Sequence, residues 1–352
     1  MVFQKKDQLV GLDIGSRFIK VAEISDTRKG RFLEHFGIID IPHGTIEDGV
    51  IKDADPVASA IRQLFKKFDI KNQNVAIAIG GHAAIIKTIN VPPMPARQLQ
   101  SAIPLEAEQY IPFDLSEVYL DYQKLGERET RSDPMDVLLV AAKKEIVDDY
   151  VSLVQMAGLV PCIVDVDAFA LQNLYEHNFF PDEDQHVVLI DVGAGKMSLN
   201  ILKGRTSVFM RDVFSGCRQI NQAISSLTGC SIDDAERIKS GDFQGRITES
   251  DFSEIVFSVV SEWCAEIRRA LDFFYATYRN DPVENIILSG GGENIKEFKE
   301  LLAVETSAKV SPINSFSGFC IDEKRFDMGA LSPFSSQAAI SMGLAIRKVD
   351  DK

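Results

Sequence analysis

The chain has 352 residues, with 52 acidic against 38 basic side chains and a formal net charge of −14. That length admits two to three domains or one large bilobal unit, and that charge argues against a nucleic-acid binder working through phosphate neutralisation. Hydrophobic residues at 45% and charged residues at 26% sit near the globular average, which excludes a disordered or fibrous chain.

No run of about 18 apolar residues occurs, so no membrane span is expected. The opening MVFQKKDQL has no apolar core or small-residue cleavage site of a secretory leader. Five widely spaced cysteines (Cys162, Cys217, Cys230, Cys264, Cys320) include no pair with zinc-ligand spacing, and a reduced cytosolic chain is the simplest reading.

In chain order, Leu9 to Asp13 is a short apolar strand ending in an acid, Ile14-Gly15-Ser16 turns, Phe18 to Ser25 continues, Arg28-Lys29-Gly30 turns and Arg31 to Ile41 returns. A helix follows, with Asp55 as its cap, Pro56 at its first position and Val57, Ile61, Leu64, Phe65 and Phe68 as its apolar stripe. Asn74 to Ile79 is a strand closed by Gly80-Gly81.

The stretch from 84 to 159 reads as a small α+β insertion. It holds Val91-Pro92-Pro93-Met94-Pro95 and a helical pattern from Ala96 to Tyr110 that Pro104 should kink or split. Strands at Val118 to Leu125 and Val137 to Ala142 flank a polar hairpin or loop, Gly126 to Asp133, and a helix over 144–157 ends at Gly158. Ala168 to Tyr175 is helical.

The opening plan then recurs. Val187 to Asp191 is an apolar strand ending in an acid, Val192-Gly193-Ala194-Gly195 turns, Met197 to Leu202 continues, Lys203-Gly204 turns and Thr206 to Val213 returns. An Asp-x-Gly at a strand end is commonly only a turn. Its recurrence half a chain later points to duplication of one supersecondary unit, and two such lobes would set the acid–glycine turns face to face. Residues 216–280 read as mainly helical, with Ile255, Val259, Trp263, Ile267 and Leu271 as a core stripe. A third glycine turn, Ser289-Gly290-Gly291-Gly292, lies between the strand Asn285 to Leu288 and a helix from Asn294 to Leu302. Glycines there let backbone N–H groups approach an anion or a flat ring. Neither a dinucleotide G-x-G-x-x-G nor a G-x-x-x-x-G-K-[ST] loop occurs.

In this order the three turns resemble the phosphate-1, phosphate-2 and adenosine motifs of the actin/Hsp70/sugar-kinase fold. VPPMPARQLQSAIPLEAEQYIPFDLSEVYLDYQKLG and VDVDAFALQNLYE are similar to the PilM family of type IV pilus assembly proteins, with the division protein FtsA as a relative sharing the relocated subdomain. The resemblance spans essentially the whole chain. It implies an α/β, duplicated actin-like (ribonuclease H-like) bilobal fold with an SHS2-type α+β subdomain inserted in the first lobe. Residues 8–83 with 160–182 would form the first lobe, 84–159 the insertion, 184–213 with 283–348 the second lobe, and 214–282 a mainly helical subdomain.

The resemblance also implies ATP or ADP with Mg²⁺ as ligands. Gly15, Ser16, Gly193 and Gly195 would offer backbone contacts to phosphates, Asp13 and Asp191 would hold the Mg²⁺ hydration shell, and Lys20 would touch a phosphate or else be a solvated strand residue. Asp167 would orient an attacking water, or else merely cap the helix after it. Glu236 and Lys239 would touch adenosine, or else form a surface ion pair. Gly290, Gly291 and Gly292 would flank the nucleoside. Lys196 departs from the family pattern, where a small hydroxyl residue is common. It could reach a phosphate or crowd the γ-position, so hydrolysis is expected to be slow or absent.

The implied partner is the N-terminal cytoplasmic peptide of PilN, docked between the insertion and the first lobe. Further pilus platform and motor proteins and self-association stay open. A cytoplasmic chain held at the inner membrane through a protein partner is expected, because the sequence ends in RKVDDK and not in an amphipathic tail. An FtsA-like filament protein and a small-molecule kinase on the same fold are the alternatives.

Overall fold

The computed structural model of the chain describes residues 8–125, 134–179, 182–243, 245–278, 282–349 and 351. Strands β1 (Val10–Ile14), β2 (Phe18–Thr27) and β3 (Gly30–Asp40) form an antiparallel meander in which Asp13 stands opposite Lys20. A short hairpin, β4 (Ile46–Glu47) and β5 (Val50–Ile51), leads to helix α1 (Ala54–Lys67). The helix starts two residues before the expected position, with Asp53 rather than Asp55 at its N-cap. Pro56 is tolerated at the third helical position because the first four N–H groups of a helix have no intrahelical acceptor. Strand β6 (Asn74–Ile79) lies parallel to β1.

The insertion begins with β7 (Ala84–Val91), a strand additional to those expected from sequence. Its exposure does not alternate cleanly, and only Ile89 and Val91 are buried. Helix α2 (Ala96–Ala107) runs through Pro104 instead of splitting there, and it ends short of the expected Tyr110. Pro104 falls in the last turn, where a missing N–H removes one bond at the end of the ladder. Strands β8 (Val118–Lys124) and β9 (Met135–Lys143) complete a sheet in the order β7-β9-β8. The expected loop Gly126 to Asp133 lies outside the described residues. Leu99 and Ile103 of α2 bury against Ile89, Val118, Val137 and Leu139, so the insertion has its own core. Helix α3 (Lys144–Met156) does not share it: Val147, Leu153 and Val154 pack with Ile61 and Leu64 in the first-lobe core. By packing, α3 belongs to the first lobe although its sequence position falls within 84–159.

Strand β10 (Val160–Val166) adds to β6 and completes a five-stranded sheet, β10-β6-β1-β2-β3. Helix α4 (Asp167–Asn178) then crosses to the second lobe, where Leu171 and Leu174 pack on Val187, Leu189 and Leu202.

The second lobe repeats the plan. Strands β11 (His186–Val192), β12 (Met197–Lys203) and β13 (Thr206–Val213) form a meander in which Asp191 stands opposite Ser198, as Asp13 does to Lys20. Helices α5 (Arg218–Thr228), α6 (Ile232–Lys239) and the 29-residue α7 (Glu249–Thr277) follow. Trp263 of α7 is fully buried. After β14 (Asn285–Ser289) a single 3₁₀ turn over 291–294 precedes α8 (Lys296–Thr306), so the helix starts later than the expected Asn294. Strand β15 (Lys309–Pro312) completes the sheet β13-β12-β11-β14-β15. β1 and β11 are central strands covered on both faces, which explains why each reads as a continuous apolar run.

A short helix α9 (Met328–Leu331) leads to α10 (Ala339–Ala345). α10 packs back onto the first lobe: Ile340 and Leu344 lie among Leu9, Ala76 and Ala78. This differs from the assignment of 283–348 to the second lobe. A β-carbon on Gly11 of β1 would collide with the Ser341 carbonyl, and one on Gly343 would collide with the Ala170 carbonyl of α4. The two crossing helices therefore touch backbone to backbone between the lobes.

Candidate functional site

A cavity of about 730 Å³ opens between the lobes, and every site residue expected from the sequence lines it except Gly292. The acid–glycine turns face one another across it. A β-carbon at Gly195 would stand 3.6 Å from the Ser16 hydroxyl of the other lobe. Two of the glycine amides already have backbone acceptors. Gly15 N–H donates to the Phe18 carbonyl at 3.1 Å, and Gly193 N–H to the Lys196 carbonyl at 2.9 Å, each closing its own turn. Among the described residues the N–H groups of Ser16, Arg17, Ala194 and Gly195 have no backbone acceptor, so those amides are the donors presented to the cleft.

The charges are arranged in pairs. Lys20 Nζ donates to the Asp13 carboxylate at 2.9 Å, and that carboxylate holds the ammonium protonated above its ordinary range despite burial. Lys196, on the second-lobe turn, reaches across the cleft to the Asp167 carboxylate at 2.5 Å. Its burial favours the neutral amine, but Asp167 and Asp212 outweigh that and raise its pKa. A β-carbon on Gly80 would collide with Lys196 Nζ, so the glycine makes room for this ion pair. Asp167 does not cap its helix: α4 begins at Asp167 itself, with Val166 at the N-cap and no side-chain bond.

Asp191 has a different environment. Its carboxylate accepts the Ser289 hydroxyl at 2.7 Å and has no cation within ion-pair distance among the described residues. Burial pushes its pKa up, against the opposing effect of Ser289. Among the described residues no cluster of three or more His, Cys, Asp or Glu side chains could hold a metal. The pair Asp13 and Asp191 nevertheless suits Mg²⁺, which takes few carboxylates and completes its shell with water and phosphate oxygens.

At the far end, Lys239 and Glu236 pair at 2.8 Å inside the cleft rather than on the outer surface. Asn221 also donates to Glu236, at 2.5 Å. Burial raises the Glu236 pKa, but Lys239 and these hydrogen bonds more than offset it and leave the carboxyl below its ordinary range. Gly290 adopts φ +81°, which a side chain rarely tolerates, and Gly291 faces open space. Gly292 is not among the residues lining the cleft: it is buried against Val192 and Trp263.

The sequence pointed to none of Arg17, Tyr150, Cys217, Arg218 or Asn221, which also line the cavity. One signal was present. A β-carbon on Gly216, just before α5, would lie 2.6 Å from the Gly193 carbonyl, so a glycine ahead of a helix marked a close approach to the second turn.

A smaller cavity of about 390 Å³ lies where the insertion meets both lobes. Ile85, Ile86, Phe113 and Lys143 face it from the insertion side, and Met210 and Asp212 from β13. Asp167 and Gly80 line both cavities, so the two share a wall. Asp212 accepts the Gly81 N–H at 2.5 Å across the lobes. Among the described residues no helix is long and apolar enough to cross a membrane.

A family model described as type IV pilus assembly protein PilM matches residues 11–349. A chain solved as a PilM–PilN type IV pilus biogenesis complex is 27% identical and superposes with a TM-score of 0.88, covering 98% of this chain and 100% of that one. The ethanolamine utilization protein EutJ from Carboxydothermus hydrogenoformans is 13% identical, with a TM-score of 0.58 over 98% of this chain and 91% of its own. MreB 5 of Spiroplasma citri, solved with AMPPNP, is 12% identical, with a TM-score of 0.54 over 98% and 96%. At those identities the last two share the fold.

Proposed function

The chain belongs to the PilM family of type IV pilus assembly proteins, and from that membership we propose that it is a nucleotide-binding scaffold that docks the N-terminal tail of a PilN partner at the inner membrane. The observation that carries the nucleotide half is the convergence of two acid–glycine turns, one from each lobe, on a single cavity. In this reading Ser16 and Gly195 amides hold phosphate oxygens, and Asp13 and Asp191 hold the water shell of Mg²⁺. Glu236 and Lys239 face Gly290 and Gly291 around the adenosine of ATP or ADP. A bound Mg²⁺ supplies charge neutralisation of the phosphates.

Turnover is slow or absent in this reading. A carboxylate that orients an attacking water must be free to accept its proton or hydrogen bond. Asp167, the residue at that position, is held by Lys196 at 2.5 Å, so activation would first have to break an ion pair inside the cleft.

The partner half rests on the solved PilM–PilN relative and on the smaller cavity between the insertion and the lobes. An extended peptide gains affinity from backbone bonds and specificity from apolar pockets, and Ile85, Ile86 and Phe113 supply such a surface. The membrane link then runs through the partner. A titration with the N-terminal cytoplasmic peptide of the co-encoded PilN-like protein tests this. The expected result is saturable one-to-one binding, weakened about tenfold or more by Ile86→Asp, a cost typical of a central interface residue. Absence of saturable binding would overturn the partner assignment, and binding indifferent to Ile86→Asp would overturn the groove.

A further inference from the structure

The cleft contains more cations than a nucleotide can use, because most already have partners. Lys20 is held by Asp13 at 2.9 Å, Lys196 by Asp167 at 2.5 Å and Lys239 by Glu236 at 2.8 Å. Arg17 donates to the Ile41 carbonyl at 2.9 Å and lies 3.7 Å from Asp40 and 4.0 Å from Asp233. Arg218 differs. Among the described residues its guanidinium makes neither an ion pair nor a hydrogen bond, although it is half-buried in the cleft wall.

Its backbone is firmly placed. Arg218 N–H donates to the Ala194 carbonyl at 2.8 Å and Cys217 N–H to the Gly193 carbonyl at 3.1 Å, which fixes the start of α5 against the second-lobe turn. The guanidinium stands over Gly195, with Nη2 3.3 Å from where a β-carbon would be, and the Ser16 hydroxyl of the other lobe lies 3.6 Å from the same point. A planar five-donor fork, a hydroxyl and free turn amides thus meet at one spot. An arginine desolvated without an anion is costly, and a planar fork matches two phosphate oxygens at once.

We propose that Arg218 is the residue that recognises the diphosphate part of the bound nucleotide. This rests on the nucleotide-binding reading and deepens it. The site distinguishes two ends of the phosphate chain. Asp167 and Lys196 satisfy each other near Gly80, so they add little net charge for a terminal phosphate, whereas Arg218 at Gly195 contributes a full unpaired charge. ADP and ATP therefore share the contact, and AMP, with a single phosphate, does not gain it fully.

Calorimetric titrations of the full-length protein with ATP, ADP and AMP in Mg²⁺ buffer test the assignment. Arg218→Gln should weaken ATP and ADP binding alike, by about tenfold to a hundredfold for loss of a charged hydrogen-bond pair, and change AMP binding less than about threefold on the same scale. Arg218→Lys keeps the charge without the fork and should fall between the two. It also provides the measurement if the glutamine variant fails to melt cooperatively. If wild-type protein binds ADP and both variants bind it equally well, the Arg218 assignment is overturned while the nucleotide reading stands. An equal loss for AMP would overturn the diphosphate assignment. If wild-type protein binds none of the three, the nucleotide reading itself falls.

Discussion

Asp191→Asn will weaken Mg²⁺-dependent nucleotide binding on the order of a hundredfold while leaving the fold about as stable as the wild type. Asp191 accepts a hydroxyl from Ser289 and, among the described residues, has no cation within ion-pair distance, although Lys20 and Lys196 act on it from farther off; burial pushes its carboxyl up. The folded protein therefore holds a buried carboxyl whose charged form is disfavoured by burial until a cation arrives. Asparagine keeps an acceptor for Ser289 and removes the burial cost of the charge, against which stands only the loss of longer-range attraction to Lys20 and Lys196. Stability gained at the expense of function is the usual signature of a strained binding site. The affinity for ATP in Mg²⁺ should fall on the order of a hundredfold, the scale found when a metal site loses a supporting group. Titrations with and without EDTA, alongside thermal melts, read both effects. A variant that binds normally in Mg²⁺, or one that is markedly less stable, contradicts this account of Asp191. The equivalent residue of the first lobe is not equivalent energetically. Removing the Asp13 charge would leave Lys20 buried without its partner, which is destabilising in its own right.

Gly343→Ala will destabilise the protein although alanine is the better helix former. In an open helix the change should gain close to 1 kcal/mol. Here the added methyl would enter the Ala170 carbonyl, so α4 and α10 must separate where they cross between the lobes. The neighbouring contact is just as close, since Gly11 of β1 accepts no β-carbon beside Ser341. Overpacking of this kind typically costs about 1–3 kcal/mol and sometimes more. A net loss of about 1 kcal/mol, and up to about 2, is expected in urea unfolding once the helix preference is subtracted. Gly291→Ala is the matched control, because a β-carbon there meets nothing within 4 Å and stability should hold. A neutral or stabilising Gly343→Ala would show that the helices are not in backbone contact.

The duplicated plan was legible because central strands give continuous apolar runs. The acid at the end of each run and the glycine two residues later mark where such a strand must turn. Asp13 and Asp191 occupy matching register positions, opposite Lys20 and Ser198, which a strand count alone suggests. The destinations of α3 and α10 were not legible. Periodicity identifies which face of a helix is buried but not which sheet buries it, and both helices pack on the first lobe from unexpected positions. The sequence could not say which glycine amides close their own turns, as Gly15 and Gly193 do. Lys196 stands out in the sequence by its position, yet its partner Asp167 lies on the other lobe. Arg218 has no motif, since its role depends on a guanidinium brought over Gly195 by the start of a different helix. Gly292 sits in a run of three glycines, and packing against Val192 and Trp263 separates it from its neighbours.

The central claim is that turns from both lobes form one nucleotide site. Hydrogen exchange of the intact protein with and without ATP and Mg²⁺ tests it most directly. Bound nucleotide should slow exchange together in segments containing Ser16, Gly195 and Gly291, with the insertion sheet β7-β9-β8 unchanged. Protection confined to one lobe, or none in any of the three turns at saturating ATP, would contradict the account.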